Sequence, residues 1–445
     1  MRTLFLITYL ALFVPSTGFS QDIVRLNLNQ CIDTALKNNP DVLRKGIQYE
    51  SSRINWQQQR ANLLPVVNGG VTHGLNQGRS IDPLTNTYVT DQVFYASPYI
   101  GGSLLLFNGL ALQNIIKQYS FVYQAAKQEE QQAKNDLVLN VILAYLQVLT
   151  NQDLYGLAIT QQQTTVEQLV RLETLNKNGN IAPGEYFDLK GQYANDQLFA
   201  INSANSLENS KVLLVRLLNI VYNKNLLLAP LSTEQFLLPY EISPEEVYQT
   251  ALQNFASVKA ADLRKQSADM EVRSSRSAFF PSIYFNTALA SNFSNAARDV
   301  QNQRIGYFNQ FDNNLSKSYN ISISIPLFNS FKTKNRVSLA RLNQRDNEII
   351  AQSTRTQLQQ LTEQAYFNMT ASENRYKRLK EQVEAYSESF RTVEIRFNAG
   401  VVNSVDYLIA KNNLDRANAN LLSNRYDFIL RKKILDFYQV KPLNL

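Results

Sequence analysis

The chain has 445 residues, and its 44 Lys and Arg exceed its 37 Asp and Glu by only 7 charges. Because the basic residues are spread singly along the chain, they argue against nucleic-acid binding. One cysteine, Cys31, and one histidine, His73, exclude an intramolecular disulfide and a Cys/His site for zinc, haem or an iron–sulfur cluster. There is also no phosphate-cradling glycine loop, so we expect no enzyme, no cofactor and no bound metal.

The first 20 residues have the pattern of an export signal. Arg2 supplies the positive end, residues 4–14 are apolar, and small residues near Ser20 offer a cleavage site. The apolar stretch is shorter than the roughly 20 residues that a helix needs to cross a bilayer. We therefore predict a signal peptide over residues 1–20 and an exported mature chain; the alternative is an uncleaved anchor. The richest later apolar stretch, residues 137–149, is predicted as a buried helix.

An internal repeat organises the rest of the chain. Two pairs of segments match: residues 35–65 with 251–281, and residues 104–109 with 324–330. The second pair is separated by 221 residues, and the same separation relates Gly179 to Gly400 and Tyr186 to Tyr407. A repeated order of elements predicts two copies of one structural unit. We place the copies at residues 21–218 and 247–445, joined by a linker over residues 219–246.

Each copy contains a region that changes from helical to strand character after a Leu-Leu-Pro or Phe-Phe-Pro tripeptide. Ile321, Ile323 and Ile325 alternate with Ser322 and Ser324, a period of two that predicts a strand with one apolar and one polar face. We predict four strands, over residues 65–76, 93–107, 281–293 and 318–328. The polar segments between them, 77–92 and 294–317, are predicted as loops too hydrophilic to be buried.

A very long helical segment follows the strands of each copy. Residues 331–398 contain neither proline nor glycine, and at 1.5 Å per residue they would make a rod of about 100 Å. The second half of this rod has the alternating three- and four-residue spacing of a coiled coil. The seam residues are Tyr376, Leu379, Val383, Tyr386, Phe390, Val393 and Phe397. The equivalent rod of the first copy covers residues 109–178.

Both rods are interrupted near a glycine and then resume as helix. We predict the tips of two antiparallel helical hairpins over residues 178–184 and 398–404, with Gly179 and Gly400 in the left-handed closing position. Pro183 opens the returning helix of the first hairpin, where proline is tolerated. The two interruptions are therefore one feature that occurs twice.

Four strands in an exported chain leave two arrangements open. Each strand is about ten residues long, enough to cross a bilayer at a tilt, and aromatic residues crowd the strands and their flanks as in the girdles of membrane barrels. A closed membrane barrel needs at least eight strands, since open edges cannot exist in lipid. The strands therefore either pack against helices as a soluble sheet or combine with strands of other subunits.

The whole mature chain resembles the TolC-like outer-membrane efflux proteins. The resemblance lies in the signal peptide, the segment CIDTALKNNPDV at residues 31–42, the LLP and FFP entries into strands, the LFNG and LFNS exits, and the two helix–glycine–helix hairpins. It implies a mainly α fold with a membrane β portion, in which three chains close one twelve-stranded barrel above a hollow α-helical tunnel in the periplasm. It also implies a passive exit duct in the cell outer membrane, supplied by an inner-membrane pump and a periplasmic adaptor.

The resemblance assigns roles to the hairpin tips. It implies that the adaptor docks at Asn178, Gly179, Asn180, Ile181, Ala182, Asn398, Gly400, Val401, Val402 and Asn403. Carboxylates beyond the tip glycine narrow the entrance in this family, and the matching residues here are Glu185, Asp188 and Asp406. The best-known members have a second aspartate at the position of Ile409. Because isoleucine carries no charge, the resemblance does not extend to a second carboxylate ring from this hairpin. Carboxylate rings would attract cations; the alternative is that these acids only stabilise helix N-termini.

A function of another class also fits the pattern. The chain could be an exported structural or adhesive coiled-coil protein without channel activity, whose strands form a soluble cap. For a channel, the sequence leaves the substrate open among drugs, metal ions and proteins, because the pump and the adaptor would select it.

Overall fold

The computed structural model describes residues 25–81, 86–89, 92–230, 242–301 and 303–441. The predicted signal peptide and residues 231–241 of the predicted linker lie outside the described residues. The chain is mainly helical, as predicted, and its two longest helices have 67 residues each.

The first half of the described chain contains four helices. Its elements are β1 (Arg25–Leu26), α1 (Leu28–Asn38), α2 (Pro40–Ala61), β2 (Val66–Asn76), β3 (Ser80–Ile81), β4 (Tyr88–Val89), β5 (Val93–Phe107), α3 (Ala111–Lys177) and α4 (Pro183–Leu218). The second half follows with β6 (Leu227–Leu228), α5 (Pro244–Asn254), α6 (Ala256–Ser277), β7 (Ser282–Ala290), β8 (Phe293–Ser294), α7 (Tyr307–Asn313), β9 (Ser316–Ser324), α8 (Lys332–Asn398) and α9 (Ser404–Tyr438).

Four helices of the first half recur in the second half at nearly the same lengths, and among the described residues α7 occurs only in the second half. α1 and α5 have 11 residues each, α2 and α6 have 22 each, and α4 and α9 have 36 and 35. α1 and α5 both begin with a capping box, built from Asn27 and Gln30 in one and from Ser243 and Glu246 in the other. Such reciprocal caps satisfy backbone N–H groups that the first turn leaves unpaired, so both helices begin where local chemistry dictates.

The long strands form one antiparallel sheet in the order β2-β5-β7-β9, and the short strand β8 also pairs with β5. The two halves of the chain meet where β5 pairs with β7. Among the described residues, β2 has no partner beyond β5, and β9 has none beyond β7. The sheet is therefore open at both edges within one chain.

Two prolines explain the main differences between the strands and the predicted spans, namely where β9 ends and where β7 breaks off. β9 ends at Ser324, two residues before Pro326, because proline has no N–H to continue the ladder. The predicted strand over residues 281–293 is divided into β7 and β8, and the break lies opposite Pro98 of β5. The Ser291 N–H still donates to the Pro98 carbonyl at 3.1 Å, but Pro98 cannot return the bond.

The segment predicted as a loop over residues 294–317 contains a short helix, α7, which was not expected; most of its residues are exposed, but it buries one polar side chain. Gln310 of α7 is 1% exposed, and its side-chain oxygen accepts from the Ser294 N–H at 2.9 Å. Its amide nitrogen donates to the carbonyls of Ser294 and Ile305 at 3.0 and 2.8 Å. Burial is possible because these bonds replace the water that an amide otherwise needs.

The coiled-coil seam predicted for the last part of α8 faces α9. Phe397 is buried, the other seam residues are half-buried, and most of the intervening side chains are exposed. Aromatic rings join the two helices: Tyr376 stacks on Phe428 with ring centroids 6.2 Å apart, and Phe397 stacks on Tyr407 at 4.6 Å. The three- and four-residue spacing therefore identified the packed face correctly.

One described helix, α3, has a stretch long and apolar enough to cross a bilayer, and 39% of that stretch is buried inside the protein. Val141, Ile142 and Tyr145 of this helix are fully buried in a cluster with residues of α1, α4 and α9. The apolar residues of α3 thus serve helix packing, as predicted for residues 137–149.

Candidate functional site

The two hairpin tips have the same closing geometry. Gly179 and Gly400 adopt left-handed φ values of 72° and 73°. After the first rod, the Asn180 and Gly179 N–H groups donate to the carbonyls of Leu175 and Asn176. After the second rod, equivalent bonds run from Val401 to Arg396 and from Gly400 to Phe397. This is the Schellman pattern, which satisfies the last carbonyls of a helix and requires a residue that tolerates positive φ.

The returning helices begin by different means. α4 begins with Pro183 at its first position, and its N-cap residue, Ala182, offers no side-chain bond. α9 is capped by Asn403, whose side-chain oxygen accepts from the Asp406 N–H at 3.0 Å. Asn403, predicted to dock an adaptor, therefore has a structural role in helix capping as well.

One hydrophobic cluster joins the two tips, and we call it the tip cluster. It consists of the buried residues Leu172, Leu189, Phe397 and Tyr407. Two residues of the predicted docking set, Ile181 and Val402, are half-buried against it. The other predicted docking residues are exposed: Asn178, Gly179, Asn180, Ala182, Asn398, Gly400, Val401 and Asn403. The two tips thus form one composite end, whose exposed residues are Asn and Gly together with Ala182 and Val401.

A polar contact also links the tips. Arg171 of α3 donates through one guanidinium nitrogen to the Asn398 carbonyl oxygen at 2.7 Å, and through the other to the Asn398 side-chain oxygen. The Asn398 carbonyl lies in the last turn of α8, where carbonyls lack helical partners and the dipole favours a cation. Arg171 therefore fixes the end of one rod against the other.

The three predicted constriction carboxylates lie in the first two turns of the returning helices. Glu185 is half-buried in the first turn of α4, and Asp188 is exposed one turn later. Asp406 is exposed in the first turn of α9. Asp188 accepts a hydrogen bond from the Ser404 hydroxyl at 2.7 Å, which connects α4 to α9. Asp188, a predicted constriction residue, therefore also connects the two hairpins.

Sequence reasoning missed a charged cluster between the hairpins, formed by Asp196, Lys411 and Asp415. The Lys411 side chain is only 3% exposed, and its ammonium lies 2.7 Å from Asp415 and 3.3 Å from Asp196. Asp196 is 8% exposed and also accepts from Thr165 at 2.5 Å and from Gln192 at 2.7 Å. The i,i+4 spacing of Lys411 and Asp415 was the only local signal for this cluster.

Burial raises the pKa of the Asp415 carboxyl, and the neighbouring Lys411 ammonium opposes this shift without cancelling it. A buried ammonium flanked by two carboxylates satisfies its charge inside the protein. The charged cluster therefore joins α4 to α9 in the same way as the Asp188–Ser404 bond, at positions further from the tips.

The two faces of the sheet have opposite chemistry. Residues opposite each other in an antiparallel pair point to the same face. By this register, one face carries Val67, Val71, Leu75, Ile100, Leu104, Phe285, Leu289, Ile321 and Ile323. The other carries Asn68, Thr72, Ser97, Ser103, Asn286, Ser318, Asn320 and Ser322. One face is suited to lipid and the other to water.

Hydrogen bonds and aromatic rings order the polar face. Ser103 donates to the Asn286 side-chain oxygen at 2.8 Å, and the Asn286 amide donates to Asn320 at 3.1 Å. The Tyr99 ring covers Gly70, where an added Cβ would lie 2.7 Å from a ring carbon. Tyr95 covers Gly74 in the same way, at 2.5 Å. A larger residue at either position would force the tyrosine ring to move, because the ring occupies the space of a side chain.

Comparison with known proteins gives one consistent result. The family described as "Outer membrane efflux protein" matches residues 31–219 and 247–433, one match in each half of the chain. The chain is 24% identical over 413 residues to "Outer membrane protein TolC" of Vibrio cholerae, covering 91% of this chain and 88% of that protein. It is 23% identical over 415 residues to "Solvent efflux pump outer membrane protein SrpC" of Pseudomonas putida, covering 90% and 82%. Among solved structures, a crystal structure of CusC superposes with a TM-score of 0.80 at 17% identity, covering 94% of this chain and 92% of that one.

Proposed function

The chain belongs to the outer membrane efflux protein family, and we propose that three copies assemble into one continuous exit duct across the outer membrane. Membership makes it an outer-membrane efflux channel. In the proposed trimer, each chain contributes β2, β5, β7 and β9 to a twelve-stranded barrel, and β2 of one copy pairs with β9 of the next. This pairing would satisfy the backbone groups that both open edges expose, as lipid demands.

The observation that carries the proposal is the opposite chemistry of the two sheet faces. A row of Ser103, Asn286 and Asn320 lies on one face, while Ile100, Phe285 and Ile321 lie on the other. A soluble sheet packed on helices would bury its apolar face, yet Ile100, Ile321 and Ile323 are 55%, 64% and 61% exposed. Such a surface fits a barrel with lipid outside and water inside.

The long helices supply the second part of the duct. At 1.5 Å per residue, the 67 residues of α3 or α8 extend about 100 Å from the sheet to the tips. We assign them to a periplasmic tunnel whose far end carries six hairpin tips. The exposed tip residues, including Asn178, Gly179 and Val401, are the proposed docking surface for a periplasmic adaptor, which joins the duct to an inner-membrane pump.

The carboxylates beyond the tips would form the narrow entrance. Glu185, Asp188 and Asp406 from three copies would surround the tunnel axis and attract cations. Asp406 is the most informative of them, because its side chain is exposed and its backbone N–H, not its carboxylate, forms the helix cap. Asp188 is less informative, because one of its carboxylate oxygens accepts a hydrogen bond from Ser404.

The test of the entrance uses the purified trimer in planar lipid bilayers. We expect Asp406→Asn to lower cation selectivity and to weaken block of the current by Ca²⁺. Asp346→Asn, the same chemical change at an exposed position of α8 near the sheet, is the matched control and should leave both unchanged. Unchanged selectivity and block in Asp406→Asn would remove this residue from the constriction.

The test of the assembly is the mass of the protein in detergent together with its conductance. We expect a detergent-stable particle of three chains that conducts ions. A monomer that is extracted without detergent and does not conduct would instead support an exported structural or adhesive coiled-coil protein.

A further inference from the structure

Carboxylates are absent from the region where helices meet strands. The four junctions are those of α2 with β2, β5 with α3, α6 with β7, and β9 with α8. Although 37 of the 445 residues are Asp or Glu, none lies within residues 51–81, 92–128, 272–298 or 313–345. All four junctions lie at the end of the sheet from which the helices extend, so the charge there is positive only.

Exposed basic residues occupy these junctions, and we call them the junction collar. They are Arg60, Lys117, Arg273, Arg276, Lys332, Lys334 and Arg336. None of them forms an ion pair with a carboxylate among the described residues. Most ion pairs elsewhere on the helices are one turn apart, such as Lys377 with Glu373. The collar thus combines exposed cations that form no ion pair with the absence of Asp and Glu from the junction segments.

The cations of α8 lie where a helix alone would not favour them. Lys332, Lys334 and Arg336 lie in its first five residues, and its first turn contains no acid. Positive charge at a helix N-terminus opposes the dipole, and Lys332 and Arg336, four residues apart, repel each other. An anion bound from outside the chain would offset both costs.

An apolar belt lies next to the collar. Phe279, Phe280, Leu327, Phe328 and Phe331 are all more than half exposed. The Phe328 and Phe331 rings meet edge to face with centroids 5.6 Å apart, and the Lys334 ammonium lies 5.8 Å from the Phe331 ring. Exposed aromatic rings beside cations are characteristic of the boundary between the hydrocarbon and the headgroups of a membrane.

A cavity of about 360 Å³ opens among these elements, and both polar and apolar residues line it. Hydroxyl and amide groups line it, together with a single ionisable side chain, Arg336. The polar lining residues are Asn108, Ser274, Ser275, Ser277, Ser282 and Ser324. The Ser274 and Ser277 hydroxyls donate to the Glu271 and Arg273 carbonyls, which leaves Arg336, the Asn108 amide and the hydroxyls of Ser275, Ser282 and Ser324 as donors for the oxygen atoms of a phosphodiester.

We propose that the junction collar binds the phosphate groups of anionic phospholipids in the periplasmic leaflet of the outer membrane, and that Arg336 holds one phosphate in the cavity. This inference rests on the proposed position of the sheet in the bilayer. The leaflet follows from the fold, because the collar lies at the end of the sheet that faces the tunnel. Lipopolysaccharide, the other source of lipid phosphates, lies in the opposite leaflet.

The experiment measures which lipids remain bound to the purified trimer by native mass spectrometry. The protein is equilibrated in detergent with equal amounts of phosphatidylglycerol and phosphatidylcholine, which share a phosphate but differ in net charge. The test variant is Lys332→Gln/Lys334→Gln/Arg336→Gln. The control variant, Arg375→Gln/Lys380→Gln/Arg396→Gln, removes the same charge from exposed positions of the same helix.

We expect the wild type and the control to retain phosphatidylglycerol preferentially, and the test variant to lose this preference by about tenfold, since each cation near a charged lipid surface contributes appreciably. Arg336→Lys should fold like the wild type and lose part of the preference, because an ammonium cannot form the forked contact of a guanidinium. If the test and control variants lost the preference for phosphatidylglycerol equally, the preference would depend only on the net charge of the protein, and the proposal would be overturned. Retention of lipid A carried over from the outer membrane, in place of the added phosphatidylglycerol, would overturn it too.

Trimer mass and conductance are measured on the same preparations. A trimer that conducts but shows no preference for phosphatidylglycerol overturns the lipid site alone. A wild type that forms no trimer and conducts no ions overturns the proposed function.

Discussion

The Ser404 hydroxyl donates a hydrogen bond to the Asp188 carboxylate at 2.7 Å, although the two residues are 216 positions apart. Ser404 is the first residue of α9 and is 2% exposed, whereas Asp188 lies in the second turn of α4 and is exposed. The bond therefore joins the returning helices of both hairpins immediately behind their tips. It lies beside the tip cluster, so polar and apolar contacts act on the same pair of helices.

The Asp188–Ser404 bond should appear as coupling between the two residues. We expect Ser404→Ala to lower the free energy of unfolding by about 1 kcal/mol, as is typical for the loss of one hydrogen bond. Asp188→Ala removes the same bond, so the double variant should be less destabilised than the sum of the single changes. Urea unfolding in detergent micelles, followed by circular dichroism, measures all four proteins. Strictly additive losses would show that the bond contributes nothing.

We expect glycine at position 400 to be needed because of its left-handed backbone conformation, and not because a side chain there would meet other atoms. Its φ is 73°, and an added Cβ would meet no heavy atom within 4 Å. We expect Gly400→Ala to destabilise the protein by about 1 kcal/mol, the typical cost of a left-handed L-residue, and Gly400→Asn to cost less. The control is Gly191→Ala, within α4 and also in open space, which should be stabilising because alanine favours helix. A stabilising effect of Gly400→Ala in the same unfolding experiment would contradict this account.

Lys411 should be among the most sensitive polar residues. Its removal leaves Asp196 and Asp415 facing each other without the cation between them. We expect Lys411→Gln to destabilise the protein by about 3 kcal/mol, the usual consequence of removing one partner from a buried ion pair. Lys380→Gln, on the exposed surface of α8, is the matched control and should change stability by less than about 0.5 kcal/mol. Comparable effects of the two changes would show that the cluster is not a stabilising contact.

Asp415 should make stability depend on pH in a defined direction. Burial raises the pKa of its carboxyl in the folded protein above the value in the unfolded chain. Between these two pKa values the folded state holds a proton that the unfolded state releases, so the free energy of unfolding increases as pH falls through the folded pKa. Asp415→Asn removes this contribution. The wild type should therefore gain stability relative to the variant as the pH is lowered, and a constant or opposite difference across a pH series would refute the assignment.

Local patterns in the sequence were sufficient for much of the fold. The glycines at 179 and 400 predicted both hairpin closures, because a helix that ends in a left-handed residue needs glycine there. The seam from Tyr376 to Phe397 predicted which face of α8 is packed, because the spacing of apolar residues reports helix geometry directly. The ends of the strands were less predictable, since Pro98 acts on β7 and β8 through pairing and not through sequence proximity.

The candidate site was predicted only in part for the same reason. Glu185 and Asp406 do lie in the first turns of α4 and α9, as their distance from the tip glycines required. Ser404 as the partner of Asp188 and Asp196 as a partner of Lys411 were not predictable, because each pair is separated by about half the chain and lies on two helices. The burial of Gln310 was not predictable either, since its three hydrogen bonds exist only after α7 packs on β8.

By itself, the sequence determined the elements whose rules act over a few residues: the duplicated order, the long rods, the glycine closures and the alternating strands. Only the tertiary structure decided which polar side chains meet, because a hydrogen bond or ion pair between α4 and α9 depends on how whole helices pack. A carboxylate such as Asp188 looks the same in a sequence whether it faces water or the Ser404 hydroxyl. The packing of the two hairpins against each other makes that distinction.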